Sequence, residues 1–330
     1  MFNKKRDYKK KIKGKLANNI LIGTAIGDAV GVPYEFSSRD KMHKNPAVDM
    51  IEYGTHSQPM GTWSDDSSLM FCLAESLVSG YSLKSTATNF IKWKDGAYWT
   101  AHNELFDIGY TTSRSIDELK YILTSKDDQM LKDLKSFAKE SDNGNGSLMR
   151  ILPLIYEVKG KDLESQFDII WKNSALTHKH IRAAMSCMIY LKFAEYLIDG
   201  AEKYNAYELM KKDILKLWDI IEFDKKEHII FERVIKYNIF DFDEKTIMSG
   251  GYVIESLEAS LWCFLNTDNF RDSILKGINF GHDTDTTAAI IGGISGIYYG
   301  IDNIPENWLY SLVRLDEIIN LGNRLDKKYS

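Results

Sequence analysis

Gly281-His282-Asp283-Thr284-Asp285-Thr286-Thr287 runs directly into Ala288-Ala289-Ile290-Ile291-Gly292-Gly293, so two carboxylates two residues apart enter an apolar, glycine-studded segment. Unpaired anions are costly to bury, and a hard divalent cation held by oxygen ligands would neutralise them. A second acidic run, Ser64-Asp65-Asp66-Ser67, lies far away in the chain. Taken singly, each run also reads as a helix start whose acids complement the dipole, for roughly 0.3–1 kcal/mol each. Taken together, Asp65, Asp66, Asp283 and Asp285 with the hydroxyls of Ser64 and Thr286 form an all-oxygen ligand set for one or two Mg²⁺ or Mn²⁺ ions. Two such ions about 3.5–4 Å apart can polarise a substrate oxygen and activate a water.

Three further segments carry chemistry. Asp142-Asn143-Gly144-Asn145-Gly146-Ser147-Leu148-Met149-Arg150 alternates glycine with amide side chains. Such a loop exposes backbone N–H groups that can cradle a phosphate, though an ordinary turn has the same composition. Asp142 could offer its carboxylate to a cationic substrate group, with helix capping as the alternative. In Leu176-Thr177-His178-Lys179-His180, His178 would be a natural donor to a pyrophosphate if the pocket holds one. Otherwise it is a satisfied core histidine. Phe106-Asp107-Ile108-Gly109-Tyr110-Thr111-Thr112 reads as a polar turn that supports neighbouring ligands or caps a helix.

Helices must position these groups. Leu69, Leu73 and Leu77 recur every four residues after the first acidic run, which places Ser64 at the N-cap and both acids in the first turn. Ile181, Met185, Met188 and Phe193 follow the Thr177-His178 pair, and Ile254, Leu257, Leu261 and Phe264 follow Gly250-Gly251-Tyr252. Period-two alternation is scarce, so the chain reads as all-α. Gly23, Gly27 and Gly31 stand at steps of four, as do Gly292, Gly296 and Gly300. Glycine costs about 1 kcal/mol relative to alanine inside a helix. Three in register therefore predict two central helices in close backbone contact, each a candidate partner for the other, bringing Asp28 and Glu35 near Asp283 and Asp285.

With 330 residues and 44% hydrophobic content, the chain can bury a sizeable core. No repeat or low-complexity linker divides it, so a single domain over residues 19–330 is expected, after a basic tail or helix start at 1–18 holding Lys4, Lys5, Arg6, Lys9, Lys10, Lys11, Lys13 and Lys15. The net charge of −5 argues against nucleic acid as a partner. No secretory signal follows the basic stretch, and Ala288 to Ile301 is too short and glycine-rich to span a membrane. Cys72, Cys187 and Cys263 sit in apolar runs without metal-site spacing, the pattern of reduced core cysteines in a cytoplasmic protein.

The ordered series Gly27-Asp28-Ala29-x-Gly31-x-Pro33-x-Glu35, Trp63-Ser64-Asp65-Asp66-Ser67, Phe106-Asp107-Ile108-Gly109, Gly144-Asn145-Gly146-x-x-Met149-Arg150, Thr177-His178 and Asp283-Thr284-Asp285-Thr286 resembles the ADP-ribosylglycohydrolase family, which includes the dinitrogenase reductase-activating glycohydrolases. The resemblance implies a compact orthogonal helical bundle with a two-metal cleft, binding two Mg²⁺ (or Mn²⁺). It implies hydrolytic removal of ADP-ribose from a modified side chain at the anomeric carbon of the distal ribose. By position, Ser64, Asp65, Asp66, Asp283, Asp285 and Thr286 match the metal ligands, and Glu35 matches a glutamate beside the metals, linked to catalysis or substrate gating. Asp142, Gly144, Asn145, Gly146, Ser147 and His178 match substrate-contacting positions, and Tyr252 a segment lining the ADP-ribose pocket.

Two departures stand out. The family's first metal run usually reads Thr-Asp-Asp-Thr, whereas serine occupies both hydroxyl positions here, and His282 replaces a small or apolar residue. On this reading Glu35, Asp65 and Asp285 carry catalysis, on an ADP-ribosylated protein or small ADP-ribosyl conjugate, by a monomeric enzyme. Arginine is the first choice of linkage, with serine-linked, nucleic-acid-linked or small-molecule ADP-ribose behind it. A hydrolase of another phosphorylated nucleoside and a non-catalytic ADP-ribose-binding relative are the rival classes.

Overall fold

A computed structural model describes residue 12, residues 14–125 and residues 128–330. Most of the basic N-terminal stretch, up to Lys11 and again at Lys13, lies outside the described residues. Among the described residues the chain is helical, with isolated bridges in place of a sheet. The longer helices are α1 (Leu16–Gly31), α2 (Asp65–Val78), α3 (Leu83–Gly96), α4 (Tyr110–Ser125), α5 (Leu163–Ser174), α6 (Ile181–Ile198), α7 (Lys203–Ile220), α8 (Val253–Leu265), α9 (Phe270–Ile278), α10 (Thr284–Tyr299) and α11 (Leu315–Tyr329).

α1 and α10 are apolar nearly all round and form the centre of the bundle, as helices without a polar face must. They lie against each other along their glycines. A Cβ on Gly23 would fall against the Gly292 carbonyl, one on Gly27 against the Ala288 carbonyl, and one on Gly31 would stand 2.5 Å from the Asp285 Cα. Gly300 departs from the expected strip. It ends α10 at φ +74° with open space around it, so its glycine serves the left-handed exit from the helix rather than packing.

Peripheral helices cover this pair. α11 turns Leu315, Ile318, Ile319, Gly322 and Leu325 inward, a helical stripe, and Asn18 of α1 meets Gly322. Arg324 of α11 forms a two-point ion pair with Glu75 of α2, and Asp326 accepts from the N–H of Ala17 at the start of α1. Cys72, Cys187 and Cys263 are buried and free. No described helix is long and apolar enough to cross a membrane.

Candidate active site

The helix ends converge because backbone groups are tied across them. Asp28, near the end of α1, is buried and accepts from the N–H groups of Ser64 and Ser67 and from the Ser67 hydroxyl at 2.6 Å. It therefore satisfies orphan donors at the start of α2. Burial outweighs these bonds and raises its carboxyl to about 6. At the other end, Thr284 Oγ1 donates to the Gly31 carbonyl at 2.8 Å. Phe36 and His282 then exchange chain ties, Phe36 N–H to the His282 carbonyl and His282 N–H to the Ser37 carbonyl, both at 2.7 Å. Phe36 and His282 both take positive φ, 61° and 62°, to do so. The His282 side chain is exposed, so the residue contributes through its backbone.

These ties set Glu35 beside the start of α10. Ligand oxygens of Glu35, Asp283 and Asp285 lie within 4.8 Å of one another, and those of Glu35 and Asp107 within the same span of a His56 nitrogen. Asp65 and Asp66 enter the same cleft from α2. The cleft holds about 390 Å³ and is also lined by Phe36, Tyr110, Gly144, Asn145, Gly146, His178 and Thr286. Among the described residues, no lysine or arginine lines it. Burial and mutual repulsion push the carboxyls of Asp65, Asp66 and Asp285 well above the ordinary range. Burial also raises Glu35 to about 7, against the opposing pull of its hydrogen bond to His56 Nε2. Asp66 Oδ1 is buried with no hydrogen-bond partner among the described residues. A buried, unpartnered carboxylate oxygen among other acids fits a hard cation, since bare oxygens of this kind are otherwise costly to keep.

Most of the residues singled out from sequence come together. Glu35, Asp65, Asp66, Gly144, Asn145, Gly146, His178, Asp283, Asp285 and Thr286 share the cleft wall. Four others stand behind or beside it. Ser64 caps α2 and turns its hydroxyl to Asp66 Oδ2 at 3.0 Å. Ser147 is buried against Ser174 and Cys187. Asp142 is buried in an ion pair with Arg114, so its carboxylate is already engaged by a guanidinium of this chain. Tyr252 is half-buried, with its hydroxyl 3.4 Å from Arg182.

The Gly144–Gly146 loop has a structural logic of its own. Asn145 donates to Asp283 Oδ2 at 2.6 Å and to the Ser256 hydroxyl at 2.8 Å, so its amide orients an acid of the cluster. Its backbone N–H is spent on the Gly251 carbonyl. Cβ atoms at Gly144 and Gly146 would stand 3.0 Å from Nε2 and 2.6 Å from Cε1 of His178, so both glycines make room for that ring.

Sequence reasoning missed His56, which comes from a short 3₁₀ turn flanked by the positive-φ residues Tyr53 and Ser57. It placed Asp107 in a supporting role, whereas Asp107 lines the cleft and neighbours Glu35. Phe36 was also missed, and Tyr110, read only as part of the polar turn, joins it as an exposed aromatic ring on the cleft wall.

Known proteins share this architecture. A profile of the ADP-ribosylglycohydrolase family matches residues 5–330. An ADP-ribosylarginine hydrolase, Tri1, of Serratia proteamaculans (strain 568) is 33% identical over 319 residues, covering 94% of this chain and 78% of the relative. The ADP-ribosyl-[dinitrogen reductase] glycohydrolase of Rhodospirillum rubrum is 25% identical, covering 88% of each. Among solved structures, an ADP-ribosylglycohydrolase-related protein complex superposes with a TM-score of 0.74 at 25% identity, over 96% of this chain and 98% of that one.

Proposed function

The chain belongs to the ADP-ribosylglycohydrolase family, a hydrolase fold spanning its whole described length, and we propose that it removes ADP-ribose from arginine side chains of modified proteins. The observation that carries the activity is the convergence of Glu35, Asp65, Asp66, Asp283 and Asp285 in one cleft without a lysine or arginine in its described wall. The arginine linkage draws support from the similarity to an ADP-ribosylarginine hydrolase. A guanidinium leaving group also suits a cleft bounded by Asp107 and flanked by the exposed rings of Phe36 and Tyr110. Asp142, proposed from sequence for that contact, is better assigned to holding Arg114.

Asp65, Asp66, Asp283, Asp285 and Thr286 would hold two Mg²⁺ or Mn²⁺ ions, with Ser64 orienting Asp66. Bound there, the ions would supply positive charge that stabilises the charge developing as the anomeric bond breaks. Glu35, bonded to His56 and set beside the acids of the cleft, is placed to hold or release a proton at the reacting bond. Water adds to the anomeric carbon as the carbon–nitrogen bond breaks, and the proton it loses passes through Glu35 to the departing guanidine. Asn145 keeps Asp283 oriented throughout. His178 and the Gly144–Gly146 turn face the pyrophosphate. The enzyme acts in the cytoplasm, a reading supported by three buried, free cysteines.

The test compares ADP-ribose release from arginine-modified and serine-modified proteins in Mg²⁺ or Mn²⁺. Faster release from arginine is expected. Preferential release from serine, or turnover of free nucleotides with protein-linked ADP-ribose left intact, would overturn the assignment.

A further inference from the structure

Arg150 is a buried cation that the cleft chemistry leaves unused. Its side chain is fully enclosed, and burial lowers its guanidinium to about 10. Among the described residues, none of its hydrogen-bond partners is a carboxylate. Nη1 donates to Asn173 Oδ1 at 2.8 Å, and Nη2 donates to the Asn173 carbonyl and to Thr177 Oγ1, both at 3.0 Å. The guanidinium lies 4.6 Å over the Phe90 ring of α3. Burying a charge this deeply without a counter-ion is expensive, and holding two loops together could be done more cheaply by a neutral side chain.

The next link explains the cation. Thr177 Oγ1 stands 3.1 Å from His178 Nδ1, and Thr177 is itself completely buried. A guanidinium can only donate, so the threonine oxygen accepts from Arg150. Its single hydroxyl proton then has one remaining partner, the Nδ1 of His178. Were Nδ1 protonated, two donors would face the same oxygen and the hydroxyl proton would be buried without an acceptor. Desolvation, followed by the charge of Arg150, lowers the imidazole to about 3, so it is neutral at working pH. Its one proton must therefore sit on Nε2. That nitrogen faces the Gly144–Gly146 turn, where the absence of both Cβ atoms opens it to the cleft. The backbone that carries the ring is fixed, because the His178 N–H donates to the Ser174 carbonyl, the Ser174 hydroxyl donates back to the His178 carbonyl, and the Ser115 hydroxyl donates to the Thr177 carbonyl.

We infer that Arg150 and Thr177 are positioning residues that lock His178 in its Nε2–H tautomer, so that a neutral histidine presents a fixed donor to an anionic oxygen of the bound substrate. The inference rests on the proposed function only for the identity of that acceptor, a pyrophosphate oxygen. A hydrogen bond to a charged acceptor is typically strong enough that its loss weakens binding roughly tenfold or more.

The test is nitrogen NMR of the full chain labelled at histidine, with the His178 signals assigned through a His178→Gln variant, at neutral pH. Wild type should show an unprotonated Nδ1 and a protonated Nε2. Thr177→Val, nearly isosteric, should shift the Nδ1 signal, bring up the other tautomer and weaken ADP-ribose binding in Mg²⁺ roughly tenfold or more. Thr177→Ser, which keeps the hydroxyl, should restore both. A purely structural Thr177 would leave the tautomer untouched. A wild-type ring protonated at Nδ1, or a Thr177→Val spectrum unchanged from wild type, would overturn the inference. A locked Nε2–H tautomer in a protein that does not bind ADP-ribose would uphold the lock and sink the substrate reading instead, so the two failures are distinguishable.

Discussion

Gly27→Ala tests the packing that brings the two acidic runs together. Taken alone, the exchange should help, since alanine is favoured over glycine in a helix by about 1 kcal/mol. The added Cβ, however, would fall on the Ala288 carbonyl and 3.1 Å from the Ala289 nitrogen. Those atoms are helix backbone and cannot rotate away. Overpacking a tight core typically costs about 1–3 kcal/mol even where side chains can adjust, so the upper end applies here. The net loss is about 2 kcal/mol, or roughly 4 °C in Tm at about 2 °C per kcal/mol for a chain of this size. Gly96→Ala is the control, because that helical glycine has nothing within 4 Å of its Cβ position. It should leave Tm unchanged or raise it by about 2 °C. Thermal unfolding followed by circular dichroism at the helix band reads both variants. A Gly27→Ala protein as stable as the Gly96→Ala one would refute the close approach of α1 and α10. Because α10 begins with the acids of the cleft, Gly27→Ala should also lower activity, while Gly96→Ala should not.

Other expectations follow from the cleft. Glu35→Gln should lower kcat by roughly 10²–10⁴-fold, the usual contribution of a general acid or base, with little change in ADP-ribose affinity measured by calorimetry. Asn145→Ala removes the donor that orients Asp283 and should weaken divalent-ion binding about 10–100-fold in a direct titration, as loss of a ligand-orienting partner does. In the metal-free protein the lowered imidazoles of His178 and His180 favour higher pH, but the raised acids of the cleft, with Asp65, Asp66 and Asp285 pushed well above their ordinary range, outnumber them and set the sign. Asp28 and Glu35 are raised to about 6 and about 7 from ordinary values near 4, and the His56 imidazole is raised as well, chiefly by its bond to Glu35. Groups raised in the folded state add stability that is present at low pH and lost as pH climbs through the folded values. Urea unfolding of chelator-treated protein should therefore show lower stability at pH 8 than at pH 5, and added Mg²⁺ should recover part of the loss at pH 8. Rising stability over that interval would contradict the burial of these acids without a counter-charge.

The helical scaffold was readable because its signals are local. Leucine at steps of four and Ser64 ahead of two aspartates mark the start of α2, and Asp283 and Asp285 before an apolar run mark that of α10, though Asp283 makes no side-chain cap bond. The glycine steps encode a tertiary contact in one dimension, which is why the pairing of α1 with α10 is legible in the order of residues. Gly300 shares the spacing but lies past the helix end, and spacing alone does not distinguish packing from capping. What stayed hidden depends on which way a polar side chain turns once loops meet. Asp142 is claimed by Arg114 across 28 residues, and Asn145 reaches Asp283 across 138. Phe36 reaches the cleft from a turn and His56 reaches Glu35 from a short 3₁₀ turn, neither with apolar periodicity, so no pattern announced them. Thr177 and Arg150 sat inside recognised motifs, yet their link to the His178 ring is visible only from the order of donors and acceptors in space.

The most direct measurement is release of ADP-ribose from an arginine-modified protein by chelator-stripped enzyme as Mg²⁺ is titrated back, with Asp285→Asn run alongside. Release should be negligible without the ion, should recover with Mg²⁺ in wild type, and should stay low in Asp285→Asn at the same ion concentration. Full release by the stripped enzyme, or normal turnover by Asp285→Asn, would contradict a catalytic role for the acidic cleft.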